Sequence, residues 1–513
     1  MSDVLHGIIS QALNGPDFSA IKDQDRELNY GELIEEVARL GSGLAGRGVV
    51  EGDRVALFLP NSIDFVVAAL ASLWIGAIFV PLAVTDPEAR LVTMLSDCAP
   101  AIVVTSDAQD DESGHTPSYH GAPFSRISSL MELGQDLVAP LQASSRPAYS
   151  MYTSGTTGTP KGVMIGTIAF GAAVESTSKV LGLDRDTRTL CVSPFYFDGS
   201  FATLFPTLFS GGTVVIRPYS LLYARTFFDA VLTERITYTG FSPSFLRLLL
   251  ASPHMAKLSD STLDVIALGG EASSIADIRA LQTIAPRIRV FNRYGPTETT
   301  IVVTHKHLTP EIIAEGVVPI GFAHPGVSFH LLDDDALIVE GPDRVGELYI
   351  GGVQLMDGYW GAPDLTKVVL RTDVVPGETV YRTGDLVYRL ADGNYVYVDR
   401  ADNVINRHGV RISLVELSEA MRSLKNVSAA TCVTFDDRGE LGIVAFVVTA
   451  KPMSVQDLRG AAQDRLPEAM LPNRIELVEV LPLNKSNKLD ERRLLSEANL
   501  RPLLRAVAPG SAR

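Results

Sequence analysis

Four short apolar runs read as buried strands: RVALFLP at 54–60, AIVVTS at 101–106, GTVVIRP at 212–218 and LDVIALGG at 263–270. Interleaved with them are longer helical patterns, SIDFVVAALASLW at 62–74, TFFDAVLTERI at 226–236 and IADIRALQTIA at 275–285. Strands without polar alternation are buried on both faces, and strands that alternate with helices pair in parallel through helical crossovers. The alternation therefore predicts α/β layers. A chain of 513 residues is too long for one ordinary core, so two or more domains are expected.

The pattern changes along the chain. From about Gly346 it becomes more purely β, with GELYIGG at 346–352 and GNYVYVDR at 393–400. Beyond Asp402 comes a smaller α+β segment: a helix over 414–424, a strand over 441–450 and a helix over 455–466. The predicted organisation is a large N-terminal domain over 1–401, of parallel and mixed sheets with helices plus a β-rich subdomain. A small α+β domain follows over 402–500, then a frayed tail over 501–513. Residues 106–125 are polar and contain Gly and Pro, and are expected to be a surface loop.

The twenty uncharged residues 65–84 are long enough to span a bilayer. Gly76 and Pro81 divide them, and Asp64 and Asp86 flank them without a nearby Lys or Arg. They are read as a buried helix followed by a buried strand, with no membrane partner. The N-terminus lacks a basic region before an apolar run, so no signal peptide is expected. Cys98, Cys191 and Cys432 form no metal or redox spacing, and are expected as buried thiols in a reducing, cytoplasmic compartment. The net charge of −16 argues against nucleic acid as a partner. From Asn403 onward the chain carries 16 basic and 13 acidic side chains, a net +3, against −19 for the rest. A mildly basic terminal domain suits an anionic partner, and ordinary scatter of charge gives the same numbers.

The stretch YTSGTTGTPKGV, residues 152–163, carries the chemistry. Its hydroxyls, backbone N–H groups and one ammonium suit phosphate oxygens. Lys161 follows Pro160 and precedes Gly162, so the loop is not the common Gly-Lys-Ser/Thr nucleotide loop. It resembles the phosphate loop of the adenylate-forming superfamily, which includes nonribosomal-peptide adenylation domains, acyl-CoA synthetases and luciferases. The resemblance extends from LNYGEL at Leu28 to NKLDERRLL ending at Leu495. FDGS at Phe197, NRYGPTETT at Asn292, GELYIGG at Gly346, YRTGD at Tyr381, DRAD at Asp399 and NKLD at Asn487 follow in the family's order. The chain most resembles a stand-alone peptide-synthetase adenylation domain.

The resemblance implies a two-step reaction. A carboxylate attacks the α-phosphate of ATP, giving an acyl-adenylate and pyrophosphate, and a thiol then displaces AMP. It assigns the β- and γ-phosphates to Lys161, Thr153, Ser154, Thr156 and Thr157, in the loop that includes Gly155 and Gly158. Glu298 would carry Mg²⁺, and Thr297 would touch the α-phosphate. Asn292 would bond adenine, Tyr294 would stack on it, and Asp385 would accept the ribose hydroxyls, with Tyr397 and Arg400 completing the nucleotide pocket. Lys488 would bridge substrate carboxylate, ribose and phosphate; without the upstream motifs it would read as a solvated tail lysine. Asp402 matches the hinge of a mobile small domain, and Gly409 a loop lining the thiol tunnel. Asp399 stands where the family has Gly, Asn406 where peptide synthetases have Lys, and SNK replaces NGK.

Asp198 is the clue to the acid. In amino-acid-activating members it pairs with the substrate amine; the alternative is a helix-capping Asp. The resemblance places Gly199, Ala202, Gly240, Ala267, Gly269, Arg293, Ile301 and Val302 in the same pocket. Its small walls would leave room for a bulky or flat side chain, and Arg293 would either receive a polar or acidic tip or point to solvent. The implied substrate is an amino-bearing acid, an α-amino acid or an aminobenzoate. The acceptor is the phosphopantetheine thiol of a separate carrier protein, with coenzyme A, and so an acyl- or aryl-CoA ligase, as the rival.

Overall fold

The computed structural model describes residues 3–86, 88–107, 121–142, 145–154, 160–217, 224–333, 337–401, 404–407, 410–437, 440–463, 466, 471–484 and 489–502. The chain forms two compact units. One comprises Met1–Arg344, Leu348–Thr383 and Arg389–Val396; the other comprises Val345–Glu347, Gly384–Tyr388 and Tyr397–Arg513.

The first unit contains two large sheets. One has the strand order Thr304–His307, Arg289–Tyr294, Val265–Gly269, Tyr238–Phe241, Arg188–Cys191, Thr213–Ile216, Ser19–Lys22 and Glu27–Asn29. Its inner pairings are parallel, and its two edge pairings are antiparallel. The other has the order Gly358–Tyr359, Pro160–Gly166, Pro147–Ser154, Ile78–Pro81, Arg54–Phe58, Ile102–Thr105 and Phe124–Arg126. Here the first two pairings are antiparallel and the remainder parallel. All four apolar runs are strands of these sheets. The expected 106–125 loop is corrected at its end, where Phe124–Arg126 pairs with Ile102–Thr105, and 108–120 lie outside the described residues.

Every residue of the helix Ile63–Trp74 except Asp64 is buried, as a helix that is apolar nearly all round must be. The Ser62 hydroxyl accepts a hydrogen bond from the Phe65 N–H at its start. Gly76, at φ +74°, turns the chain into the strand Ile78–Pro81, and a Cβ there would lie 2.6 Å from the Leu141 side chain. The uncharged stretch is thus a helix, a glycine turn and a strand. Among the described residues no helix is long and apolar enough to cross a membrane.

Phe79, Tyr149, Phe170, Phe201 and Phe205 pack edge-on, tilted or stacked, at centroid distances of 5.0–6.3 Å. Each phenylalanine ring of the cluster stabilises the fold by about 1.5–3 kcal/mol through burial alone. The cluster anchors the helix Phe201–Phe209, and hence the short turn Asp198–Ser200 that leads into it.

In the second unit, Val427–Asp437 and Glu440–Thr449 form an antiparallel pair, and Glu440–Thr449 pairs in parallel with Arg474–Leu477. The helix Val455–Gln463 is the crossover between these parallel strands. Period-2 alternation gives the sheet two covered faces. Ile443, Ala445 and Val447 pack with Leu417, Met421 and Leu458, while Val433, Phe435, Val444 and Phe446 pack with Leu494 and Leu495. All three cysteines are buried and free; burial pushes the Cys98 and Cys432 thiols up to about 12.

Candidate active site

Antiparallel pairing of Pro147–Ser154 with Pro160–Gly166 sets Thr153 opposite Lys161. The two strands therefore hold the ends of the Gly/Thr-rich loop in fixed register. Lys161 Nζ lies 5.5 Å from the centroid of the Tyr359 ring, within reach of its electron-rich face. The Tyr359 hydroxyl donates to Glu298 Oε1 at 2.7 Å. One aromatic side chain thus stands between an ammonium and a carboxylate. Burial and the Glu298 charge push the Tyr359 phenol well above its ordinary range, so it remains a donor. Glu298 keeps Oε2, and lone-pair capacity on Oε1, for a hard cation, as suits a magnesium ion that is mostly held by water and phosphate. Among the described residues there is no cluster of three or more His, Cys, Asp or Glu able to hold a metal by themselves.

Thr297 and Glu298 occupy the turn Thr297–Thr299. Immediately after it, Thr300 and Ile301 adopt φ of +61° and +68°. Two successive β-branched residues in the left-handed region are strained, and persist where their surroundings fix them. Gln354 supplies the fixing. Its Nε2 donates to the carbonyls of Thr299, Thr300 and Val302 at 3.4, 3.2 and 2.8 Å, and its backbone carbonyl accepts from the Thr300 hydroxyl at 2.7 Å. The Met356 N–H bonds the Glu298 carbonyl at 2.9 Å.

Alternation along Arg289–Tyr294 sends Asn292 and Tyr294 to one face of the sheet and Arg293 to the other. Asn292 Nδ2 donates to the Pro319 carbonyl at 2.9 Å, and its Oδ1 accepts from the Ser273 hydroxyl at 3.1 Å. This fixes the amide and leaves one Oδ1 lone pair for an adenine amino group.

On the opposite face the register brings Gly240 beside Ala267, and Gly269 beside Arg293. Arg293 is only 6% exposed, so it does not point to solvent. A Cβ at Gly269 would meet its Cγ at 2.4 Å, and one at Gly240 would meet its Nη1 at 2.9 Å. The Arg293 side chain lies over both glycines, and the room expected above these small walls is occupied. Burial lowers the Arg293 pKa, while Tyr238, Asp198 and Cys191 oppose that shift. Asp198 sits in the first turn of its 3₁₀ segment, one residue after Phe197 at the cap position. Ala202, Ala267, Ile301 and Val302 are buried, and a Cβ at Gly199 would meet nothing within 4 Å.

The second unit holds a further group of candidate residues. Asp385 is 6% exposed, and Arg400 Nη1 stands 3.5 Å from its Oδ1. Glu347 Oε1 accepts from the Gly384 N–H at 3.1 Å. Asp399 is fully buried; its Oδ1 accepts from the Arg400 N–H at 2.7 Å, and its Oδ2 from the Val415 N–H at 3.3 Å. The family departure at Asp399 thus ties the strand Tyr395–Arg400 to the start of the helix Leu414–Arg422. Tyr397 lies on the same strand. Gly155, Thr156, Thr157, Gly158, Asp402, Gly409 and Lys488 lie outside the described residues, and Ser154 is described in its backbone alone.

Tyr359 and Gln354 were not singled out from the sequence. Both fall in VQLMDGYW, directly after GELYIGG, where a polar Gln among apolar neighbours was the available signal.

The chain is 32% identical to enterobactin synthase component F of Escherichia coli K12 over 98% of its length and 40% of that protein. It is also 30% identical to tyrocidine synthase 1 of Brevibacillus parabrevis over 96% of this chain and 44% of that protein. The chain thus spans less than half the length of these curated relatives. Its fold matches Klebsiella oxytoca NpsA, solved with 3-hydroxyanthranilyl-AMSN, with a TM-score of 0.85 over 97% of this chain and 100% of that one, at 22% identity. The family model described as AMP-binding enzyme matches residues 9–360, and that described as AMP-binding enzyme C-terminal domain matches 416–488. The chain belongs to the AMP-binding enzyme family.

Proposed function

We propose that this chain is an AMP-forming carboxylic acid ligase. It activates an amino-bearing acid as an acyl-adenylate with release of pyrophosphate, then transfers the acyl group to the phosphopantetheine thiol of a separate carrier protein. The observation that carries this reading is the arrangement of Lys161 and Glu298 about Tyr359. Joining a carboxylate to a triphosphate brings two anions together, and the site must offset their repulsion with fixed positive charge.

Lys161 supplies part of that charge, with Thr153 and the loop 154–158 holding the β- and γ-phosphates. Glu298 would hold Mg²⁺, which lowers the charge on the phosphate oxygens when bound. Thr297 contacts the α-phosphate, and Asn292 and Tyr294 hold adenine. Asp385, with Arg400 and Tyr397, receives the ribose. Lys488 stabilises the charge that builds at the α-phosphate, which accelerates the step rather than tightening substrate binding. The small domain, 402–500, turns at Asp402 and exchanges Lys488 for the thiol-tunnel loop at Gly409 between the two half-reactions. Buried free thiols fit a cytoplasmic setting.

The test is ATP–pyrophosphate exchange over a panel of amino acids, aminobenzoates and simple aryl acids. Exchange with an amino-bearing acid, sharply reduced in Lys488→Ala while ATP binding persists, is the expected result. Absence of exchange with every acid overturns the reading. For the acceptor, faster thioester formation with coenzyme A than with a holo carrier protein would overturn the carrier assignment.

A further inference from the structure

Arg293 is a cation buried within the sheet that also carries Gly240, Gly269 and His305. His305 lies directly across from it in the antiparallel register, so both side chains stand on one face. Its Nη1 has no hydrogen-bond partner among the described residues. A buried guanidinium requires both a counter-charge and acceptors for its N–H groups.

The groups around Arg293 contribute little negative charge. Tyr238 and Cys191 are held protonated by burial. His305 adds no anion, and a hydrogen-bond relay fixes its form. Gln354 commits its Nε2 to three carbonyls, so its Oε1 accepts from His324 Nδ1 at 3.2 Å. His324 Nε2 therefore accepts from His305 Nδ1 at 3.0 Å. Both rings are neutral, stacked 5.2 Å apart, and His305 Nε2 is left as a buried, unpartnered acceptor. Burial, first, disfavours the charged form of each ring, and for His305 the neighbouring His324 and Arg293 add to it. Among the described groups that act on Arg293, Asp198 is then the sole anion.

This charge count bears on the substrate. If Asp198 receives a substrate ammonium, the buried set becomes two cations and one anion. A substrate whose remaining part is neutral leaves one positive charge uncompensated inside the protein. A second carboxylate on the substrate restores neutrality and supplies oxygens for the Arg293 fork over Gly240 and Gly269. We propose that the acid activated here is an amino dicarboxylic acid, with its amine at Asp198, its second, unreacting carboxylate at Arg293, and its reacting carboxylate directed to ATP. This rests on the reading of Asp198 as the amine partner.

Substrates test the proposal on the wild-type enzyme. ATP–pyrophosphate exchange is measured with aspartate, glutamate and 2-aminoterephthalate. Each is compared with its deaminated diacid, its half-amides, and the amino monoacids left by removing either carboxylate. The expected result is one amino diacid preferred over its half-amides and amino monoacids by about a hundredfold or more in kcat/KM. An amino monoacid that equals or exceeds every amino diacid overturns the proposal and leaves the amine reading intact. A deaminated diacid that equals its parent overturns both. No exchange with any acid overturns the ligase reading on which both stand. Arg293→Met, shown folded by its thermal melt, should lose most of the discrimination between diacid and half-amide. A folded variant that retains it shows that another group reads the second carboxylate, and sinks the assignment.

Discussion

The Tyr359 hydroxyl holds Glu298 by a 2.7 Å hydrogen bond, and Tyr359 itself pairs in its sheet with Val163, two residues beyond Lys161. The strand that carries the proposed phosphate-binding lysine therefore also fixes the orientation of the proposed magnesium-binding carboxylate.

Tyr359→Phe keeps the ring beside Lys161 and removes the donor. A hydrogen bond to a charged group contributes about 1.5–3 kcal/mol, so exchange activity should fall by about tenfold to a hundredfold. The magnesium concentration for half-maximal exchange should rise. A magnesium titration of pyrophosphate exchange checks this; an unchanged half-maximal concentration would show that the bond does not position Glu298.

Gln354→Ala removes the amide that donates to the carbonyls of Thr299, Thr300 and Val302 around the left-handed pair Thr300 and Ile301. The backbone carbonyl at 354, which accepts from the Thr300 hydroxyl, remains but loses the side chain that anchors it. The expected loss is about 2–4 kcal/mol of stability, read from the urea midpoint, because the Thr299 and Val302 carbonyls lose this donor while the Thr300 carbonyl keeps only the Val302 N–H. Activity should fall further than stability explains, since the same turn carries Thr297 and Glu298.

Burial holds His324 down to about 4 and His305 well below its ordinary value. Both folded-state values lie under the unfolded value near 6.5, so the unfolded chain binds more protons in between. The stability due to these neutral rings is complete above about pH 6.5 and is lost as pH falls towards 4. Melting temperature should therefore decline over this window in the wild type, and less steeply in His324→Asn. Equal slopes would exclude this pair as the cause.

Asp399→Gly installs the residue usual in the family and removes the carboxylate that accepts from the Arg400 and Val415 N–H groups. A carboxylate at a helix start, accepting two backbone donors, contributes about 1–3 kcal/mol. Amide hydrogen exchange should quicken at Val415 and its helical neighbours; unaltered protection there would contradict a capping role.

Much of the fold was legible because its signals are local. Apolar runs without alternation gave strands buried on both faces, and Gly76 divided residues 65–84 into helix and strand. The helix expected over 226–236 ends earlier, at Thr233, because Arg235 takes a left-handed φ of +51° that no local pattern announced. In the candidate site, motif order nominated Asn292, Tyr294 and Glu298. Tyr359 and Gln354 escaped notice because their roles depend on partners some sixty and fifty residues away.

Periodicity, a property of neighbouring residues, determined the parallel α/β layers and the β-rich continuation, while the Gly/Thr-rich stretch around Lys161 pointed to phosphate and its resemblance to a known family suggested the ligase chemistry. Only the tertiary structure decided the fate of Arg293. By sequence it could receive a polar or acidic tip or point to solvent; the sheet register set Gly269 beside it and Gly240 one strand further, leaving its side chain space over residues without a Cβ. Register is set by the packing of whole strands against each other, so the burial of this charge is not encoded in any stretch that includes it.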